Sequence, residues 1–176
     1  LILDLDGNGV QTLHWSALVY FDINATGERI STGWVGQGDA LLAIDLNADG
    51  QINDGSELFG SAYQLADGSE ANDGFAALAS LDGNGDGRVD SSDTAFSSLL
   101  AWVDRNQDGV SQGDELYSLS SLGIASLNLA AEQLSEQNNG NWVGLGGTYE
   151  TADGELRSLV DAWFLTGDAQ GQDVDL

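Results

Sequence analysis

The stretch "DRNQDGVSQGDE", residues 104–115, sets oxygen-bearing side chains at alternate positions and then a glycine. Asp104, Asn106 and Asp108 stand first, third and fifth; Gly109 is sixth, the Val110 carbonyl seventh and Glu115 twelfth. Ca2+ is a hard cation that takes about six to eight oxygens at roughly 2.3–2.6 Å. Alternate side chains converge on one point only where the chain turns tightly, and glycine at the sixth position permits that turn. The match to an EF-hand loop is complete. "DGNGDGRVDSSD", residues 82–93, repeats the order with Asp82, Asn84, Asp86, the Arg88 carbonyl and Asp93 at the twelfth position. Asp90, at the ninth, adds an oxygen directly or through water.

Three further stretches begin the same way and finish differently. "DLDGNG" offers Asp4, Asp6, Asn8 and the Val10 carbonyl, but Trp15 stands where the closing acid is due. "DINATG" offers Asp22, Asn24 and Thr26, with Glu28 adding a backbone or side-chain oxygen. Either could close its shell with an acid from elsewhere. "DLNADGQINDGSE" supplies Asp45, Asn47, Asp49 and the Gln51 carbonyl, then Ser56 in the twelfth place and Glu57 one step late. We read it as a calcium loop with one inserted residue, since Gly60 stops a helix from following. The plainer alternative for all of these stretches is a set of Asx turns.

The rest of the chain must position these loops. With 29 acids, four Arg and no Lys, the 176 residues carry a formal net charge of -25, which repels itself in a compact state. About five divalent ions would move that charge to about -15, so the chain is expected to fold poorly without Ca2+. Nucleic acid is excluded as a partner, because so few cations displace no counterions. The absence of Cys and the single His14 exclude a zinc site and leave little for catalysis, so no enzyme is expected. No apolar run approaches a membrane span, so no membrane insertion is expected.

Short strands are expected at 1–3, 18–21 and 41–44, and helices in the middle of the chain. Asp73 caps a turn into Phe75, Leu78 and Ala79. Phe96, Leu99, Leu100 and Val103 follow helical spacing, and Leu116, Leu119 and Leu122 give a third helix closed by Gly123. Loop plus helix thus reads as a 22-residue duplication. Ala125, Leu127 and Leu129 alternate as a strand, and "TYETADGELRSLVDAWF" reads as a hairpin turning at Asp153-Gly154. The expected class is α+β: one Ca2+-stabilised domain over 1–166 with short strands, a central helical part and a C-terminal antiparallel hairpin, then a polar tail or linker over 167–176. Trp34, Trp102, Trp142 and Trp163 are expected in the core, and for Asp161, inside an apolar strand, three roles stay open: pairing with an Arg, ligating an ion or facing solvent. The long 60–74 loop carries the candidate ligand contacts Tyr63, Gln64, Asp67 and Asn72.

Taken in order, "LILDLDGNG", "YFDINATGERISTGWV", "LLAIDLNADGQINDGSELFG", "GFAALASLDGNGDGRVDSSD", "AWVDRNQDGVSQGDEL" and "LGIASLNL" resemble a calcium-dependent domain of large bacterial RTX proteins, over about residues 1–130. More narrowly, the chain looks like the peptide-binding domain of RTX adhesins. That resemblance implies several Ca2+ ions, a bacterial cell-surface location and capture of peptide C-termini on other cells, by a monomeric module of a long protein. Ala25 and Ala48, where glycine is frequent, and Thr26 depart from its pattern. Sugar hydroxyls are an alternative ligand. A calcium-rigidified spacer and a dockerin-like protein–protein module are the alternative roles.

Overall fold

The computed structural model describes residues 1–167 and the two-residue strand at 173–174. The first stretch supplies β1 (Ile2–Asp4), β2 (Thr12–Leu13), β3 (Val19–Phe21), β4 (Ile30–Thr32), β5 (Trp34–Val35) and β6 (Asp39–Ile44). The middle supplies α1 (Gly74–Ala79), β7 (Arg88–Asp90), β8 (Leu99–Trp102) and β9 (Leu116–Ser118). The last stretch supplies β10 (Ile124–Asn128), β11 (Glu132–Asn138), β12 (Asn141–Thr151), β13 (Leu156–Trp163), β14 (Thr166–Gly167) and β15 (Asp173–Val174).

One nine-stranded sheet organises the chain in the order β7-β10-β12-β13-β1-β6-β8-β9, with β11 added on β12. Its strand pairs are antiparallel. The central strands are buried on both faces, and so read as unbroken apolar runs. Leu3, Ala40, Leu42, Leu99 and Ala101 point into one core with Phe59, Phe75 and Leu78. Ile2, Leu41, Ala43 and Trp102 point into the other with Val19, Phe21 and Trp34. Phe21, Trp34 and Trp102 form an aromatic triangle there, with ring centroids 5.1–5.5 Å apart.

The α+β expectation with a helical middle is overturned. The fold is mostly β, and the described residues hold one α-helix, the six-residue α1. Asp73 does cap it, accepting from the Ala76 N–H. The helix expected through Phe96–Val103 is a 3-10 turn, Phe96–Ser98, followed by β8. Within that run Leu99 and Leu100 face different cores, as neighbours in a strand do, and pairing with β6 decides for the strand. Leu116–Leu122 likewise divides into β9 and a 3-10 turn, which Gly123 ends at φ +71. No duplicated loop-helix unit is present among the described residues. The hairpin at Asp153-Gly154 joins β12 to β13. The expected 167–176 tail starts inside β14, which pairs with β4 and β15; residues 168–172 and 175–176 lie outside the described residues.

Candidate metal loops and ligand cleft

The five acidic stretches share one backbone form. In each, the first Asp accepts the N–H of the residue five places on: Gly9 to Asp4, Gly27 to Asp22, Gly50 to Asp45, Gly87 to Asp82 and Gly109 to Asp104, at 2.6–3.0 Å. Those sixth-position glycines lie at φ +67 to +89. The fourth position is left-handed too, in Gly7, Ala25, Ala48, Gly85 and Gln107, at φ +53 to +76. Two left-handed residues per loop wind the chain tightly enough to gather its alternate side chains. Asn47, Asn84 and Asn106 each accept the fifth-position N–H, and Asp49, Asp86 and Asp108 each accept the seventh. In the first loop Asp6 likewise accepts the fifth-position N–H, from Asn8 at 3.2 Å, and the Asn8 side-chain amide donates to Asp6 at 2.7 Å. A donor set made of oxygens alone, in loops of this form, fits Ca2+ rather than a softer metal.

Closure separates the loops. Glu115 accepts from the second-position amide of Arg105 at 3.0 Å and from Gln112 at 3.4 Å. Asp93 accepts from Gly83 at 2.9 Å and from Asp90 at 3.0 Å. Glu57, one residue late, accepts from Leu46 at 3.0 Å and from Asn53 at 2.8 Å. The late glutamate therefore reaches the same place as the other two. A 3-10 turn capped by Asp54 takes up the additional residue. The Asp22 loop shows no such acid among the described residues; the Thr26 amide and hydroxyl bind Asp22 at 2.9 and 3.4 Å, and Glu28 is exposed.

Three loops are docked together. The Gly55 N–H donates to the Asp22 carbonyl at 2.8 Å, and a Cβ on Gly55 would lie 1.9 Å from the Ile23 carbonyl oxygen. Arg29 donates to the Tyr20 carbonyl at 2.5 Å and the Gly109 carbonyl at 2.9 Å, tying β3 to the Asp104 loop. Trp34 Nε1 donates to Asp104 Oδ2 at 2.7 Å, so the core itself holds that loop's first residue.

One acid that loop spacing gave no way to find joins the Asp4 loop. The carboxylates of Asp4, Asp6 and Asp39 lie within 4.8 Å of one another. Burial pushes the Asp39 carboxyl up to about 6; the Gln11 amide opposes this, Asp4 and Asp6 add to it, and the Leu5 amide opposes it again.

A cleft of about 460 Å³ opens beside the three-loop cluster. Leu1, Phe59, Trp142, Trp163, Phe164 and Asp161 line it, and so does Asn24, third residue of the Asp22 loop. Asp161 is buried and accepts the Gly74 N–H at 2.6 Å. Burial raises its proton affinity, partly offset by the Gly74 amide. The Leu1 nitrogen donates to the Phe59 carbonyl. A carboxyl so placed in a cleft marks a candidate functional position.

Trp34 and Trp102 are in the core as expected, but Trp142 and Trp163 are 43% and 37% exposed. They are partners across β12 and β13, and a Cβ on Gly144 would meet both rings within 2.8 Å. The four candidate ligand contacts do not converge. Tyr63 stacks on Phe59 in the core, Gln64 bridges to Glu70, Asp67 is exposed and accepts from Ser69, and Asn72 borders a second, shallower cleft. His14 caps a 3-10 turn, its ring accepting from the Ser16 N–H at 3.2 Å. Among the described residues no helix is long and apolar enough to cross a membrane.

The fold and its loops define a β-rich module built around oxygen-donor turns, and the chain belongs to the SPM domain family, whose model matches residues 1–165. It is 46% identical, over 164 residues, to the Iron-regulated protein FrpA of Neisseria meningitidis serogroup C. That alignment covers 92% of this chain and 15% of the relative, so the chain spans a small part of the length of the protein it matches.

Proposed function

We propose that this chain is a calcium-assembled ligand-binding module of a long protein at the bacterial cell surface, taking a peptide C-terminus into the cleft beside the Asp22 loop. One observation carries the reading: Asn24 belongs both to that loop, which has no closing acid among the described residues, and to the wall of the cleft. When bound, Ca2+ supplies positive charge and coordination positions for an oxygen ligand. No Arg lines the cleft. Arg29, Arg105 and Arg157 are engaged with protein carbonyls or side chains. A ligand carboxylate therefore has few cations to meet other than an ion held by the loop. Trp142, Trp163 and Phe164 offer apolar contact for a side chain, and Asp161 offers an acceptor for a peptide N–H.

A library of peptides with free and amidated C-termini, tested on the 176-residue chain in CaCl2 and in chelator, examines this directly. Binding of free termini in calcium, lost in chelator and weakened by Asn24→Ala, is expected. Equal blanks for free and amidated peptides in calcium would remove the reading. Calcium-dependent folding without any peptide binding would instead favour the rigid spacer.

A further inference from the structure

The Asp4 loop lacks a closing acid in its own sequence, and β6 brings one to it. Asp4 ends β1 and lies directly opposite Asp39 in the β1–β6 register. Both are buried, 3% and 2% exposed. Two like charges directly opposed on neighbouring strands destabilise a sheet, and burial makes the conflict worse. Among the described residues the one ion pair is Arg157–Glu155, so no basic side chain resolves it.

The hydrogen bonds around Asp39 follow the pattern of the closed loops. Glu57, Asp93 and Glu115 each accept from the second-position amide and from the ninth. Asp39 Oδ2 accepts the eighth-position N–H, from Gln11, at 2.7 Å, and the second-position amide of Leu5 also acts on its carboxylate. Its other oxygen, Oδ1, is buried without a hydrogen-bond partner. Asp6 completes the group from the exposed side, and glycine at 38 leaves room for it: a Cβ there would lie 2.6 Å from Asp6 Oδ2.

We infer that Asp39 is the closing ligand of the Asp4 loop, so that Asp4, Asp6 and Asp39 hold a divalent cation between β1 and β6. The assignment rests on the calcium reading above and extends it. It makes the site a clasp on the central strand pair, which fixes β1 against β6 where a cation-free chain carries opposed charges.

Ion stoichiometry by native mass spectrometry in CaCl2, and melting temperatures in CaCl2 and in chelator, test it on the 176-residue chain. Asp39→Asn should bind one ion fewer than the wild type. In chelator it should melt above the wild type, because one of the opposed charges is gone; in calcium the order should reverse. Asp6→Asn changes an exposed side chain that leaves the core untouched, and should weaken the same ion; the double variant should lose no second one. An unchanged ion count and an unchanged calcium-induced rise in melting temperature for both single variants would overturn the assignment while leaving the other loops standing. A wild-type chain that binds no calcium at all would overturn the calcium reading and this assignment together.

Discussion

Ile52 and Ser111, each eighth in its loop, exchange hydrogen bonds: the Ile52 N–H donates to Ser111 Oγ at 2.7 Å, and that hydroxyl donates back to the Ile52 carbonyl at 3.3 Å. Both residues are buried. One side chain thus fastens the Asp45 loop to the Asp104 loop. Ser111→Ala leaves a buried N–H without a partner, a loss of about 1–3 kcal/mol. Urea unfolding in calcium should show the midpoint falling with an unchanged slope. An unaltered midpoint would mean that water replaces the hydroxyl.

Chelation should affect the whole molecule. An ion at ten times its Kd adds roughly 1.4 kcal/mol of stability, so five add about 7 kcal/mol, comparable to the margin of a domain. Thermal melts in excess chelator should therefore show a large drop in melting temperature, partly restored by high salt, which screens the net charge of -25. Identical melts in chelator and in calcium would contradict the calcium reading.

Ala48 and Ala25 occupy left-handed positions, at φ +60 and +53. An L-residue loses about 1–2 kcal/mol there, partly offset by the entropy that glycine loses on folding. Ala48→Gly and Ala25→Gly should each stabilise the protein by about 0.5–1 kcal/mol, measured as a raised melting temperature. Gly50→Ala, at φ +82, should act in the opposite direction.

Glu57 and Glu115 accept the same second-position amide in their loops. Glu57→Gln should therefore weaken calcium binding at the Asp45 loop about as much as Glu115→Gln does at the Asp104 loop. Charge-assisted hydrogen bonds of this kind are worth about 1.5–3 kcal/mol. Calorimetric titration separates the cases: a Glu57→Gln variant that titrates like the wild type would make Glu57 a bystander.

Asp161 gives the stability a pH dependence of definite sign. Burial raises its folded-state pKa above the unfolded value, so the native state binds the proton more tightly. Between the ordinary Asp value, about 3.9, and the raised one, stability falls as pH rises. In chelator, urea midpoints taken upward from pH 4 should fall more steeply for the wild type than for Asp161→Asn. Parallel curves would show that the carboxyl gains enough from its neighbours to cancel its burial.

Much of the loop geometry was legible in the sequence. Side-chain types at alternate positions, with glycine at the sixth, locate all five loops, because that chemistry is local and the backbone form follows from the spacing. The helices were misread because Leu99, Leu100 and Val103 satisfy helical periodicity as well as a strand with cores on two faces. Local pattern cannot separate these, and the partner strand β6 does. The candidate contacts lie apart for a related reason: Tyr63 sits in a polar, glycine-rich stretch, yet its ring stacks on Phe59 in the core.

By itself, then, the sequence determined which atoms are available to hold a hard cation and where the chain turns to gather them. Ligand type and left-handed glycine act over a dozen residues or fewer. Only the tertiary structure decided that Asp39 comes beside the Asp4 loop, which loops touch, and where a cleft opens. Asp39 meets Asp4 through strand register, Ile52 meets Ser111 through docked loops, and Asn24 meets Trp142 and Trp163 across the cleft. Those encounters join residues far apart in the chain, and burial of the two cores fixes them.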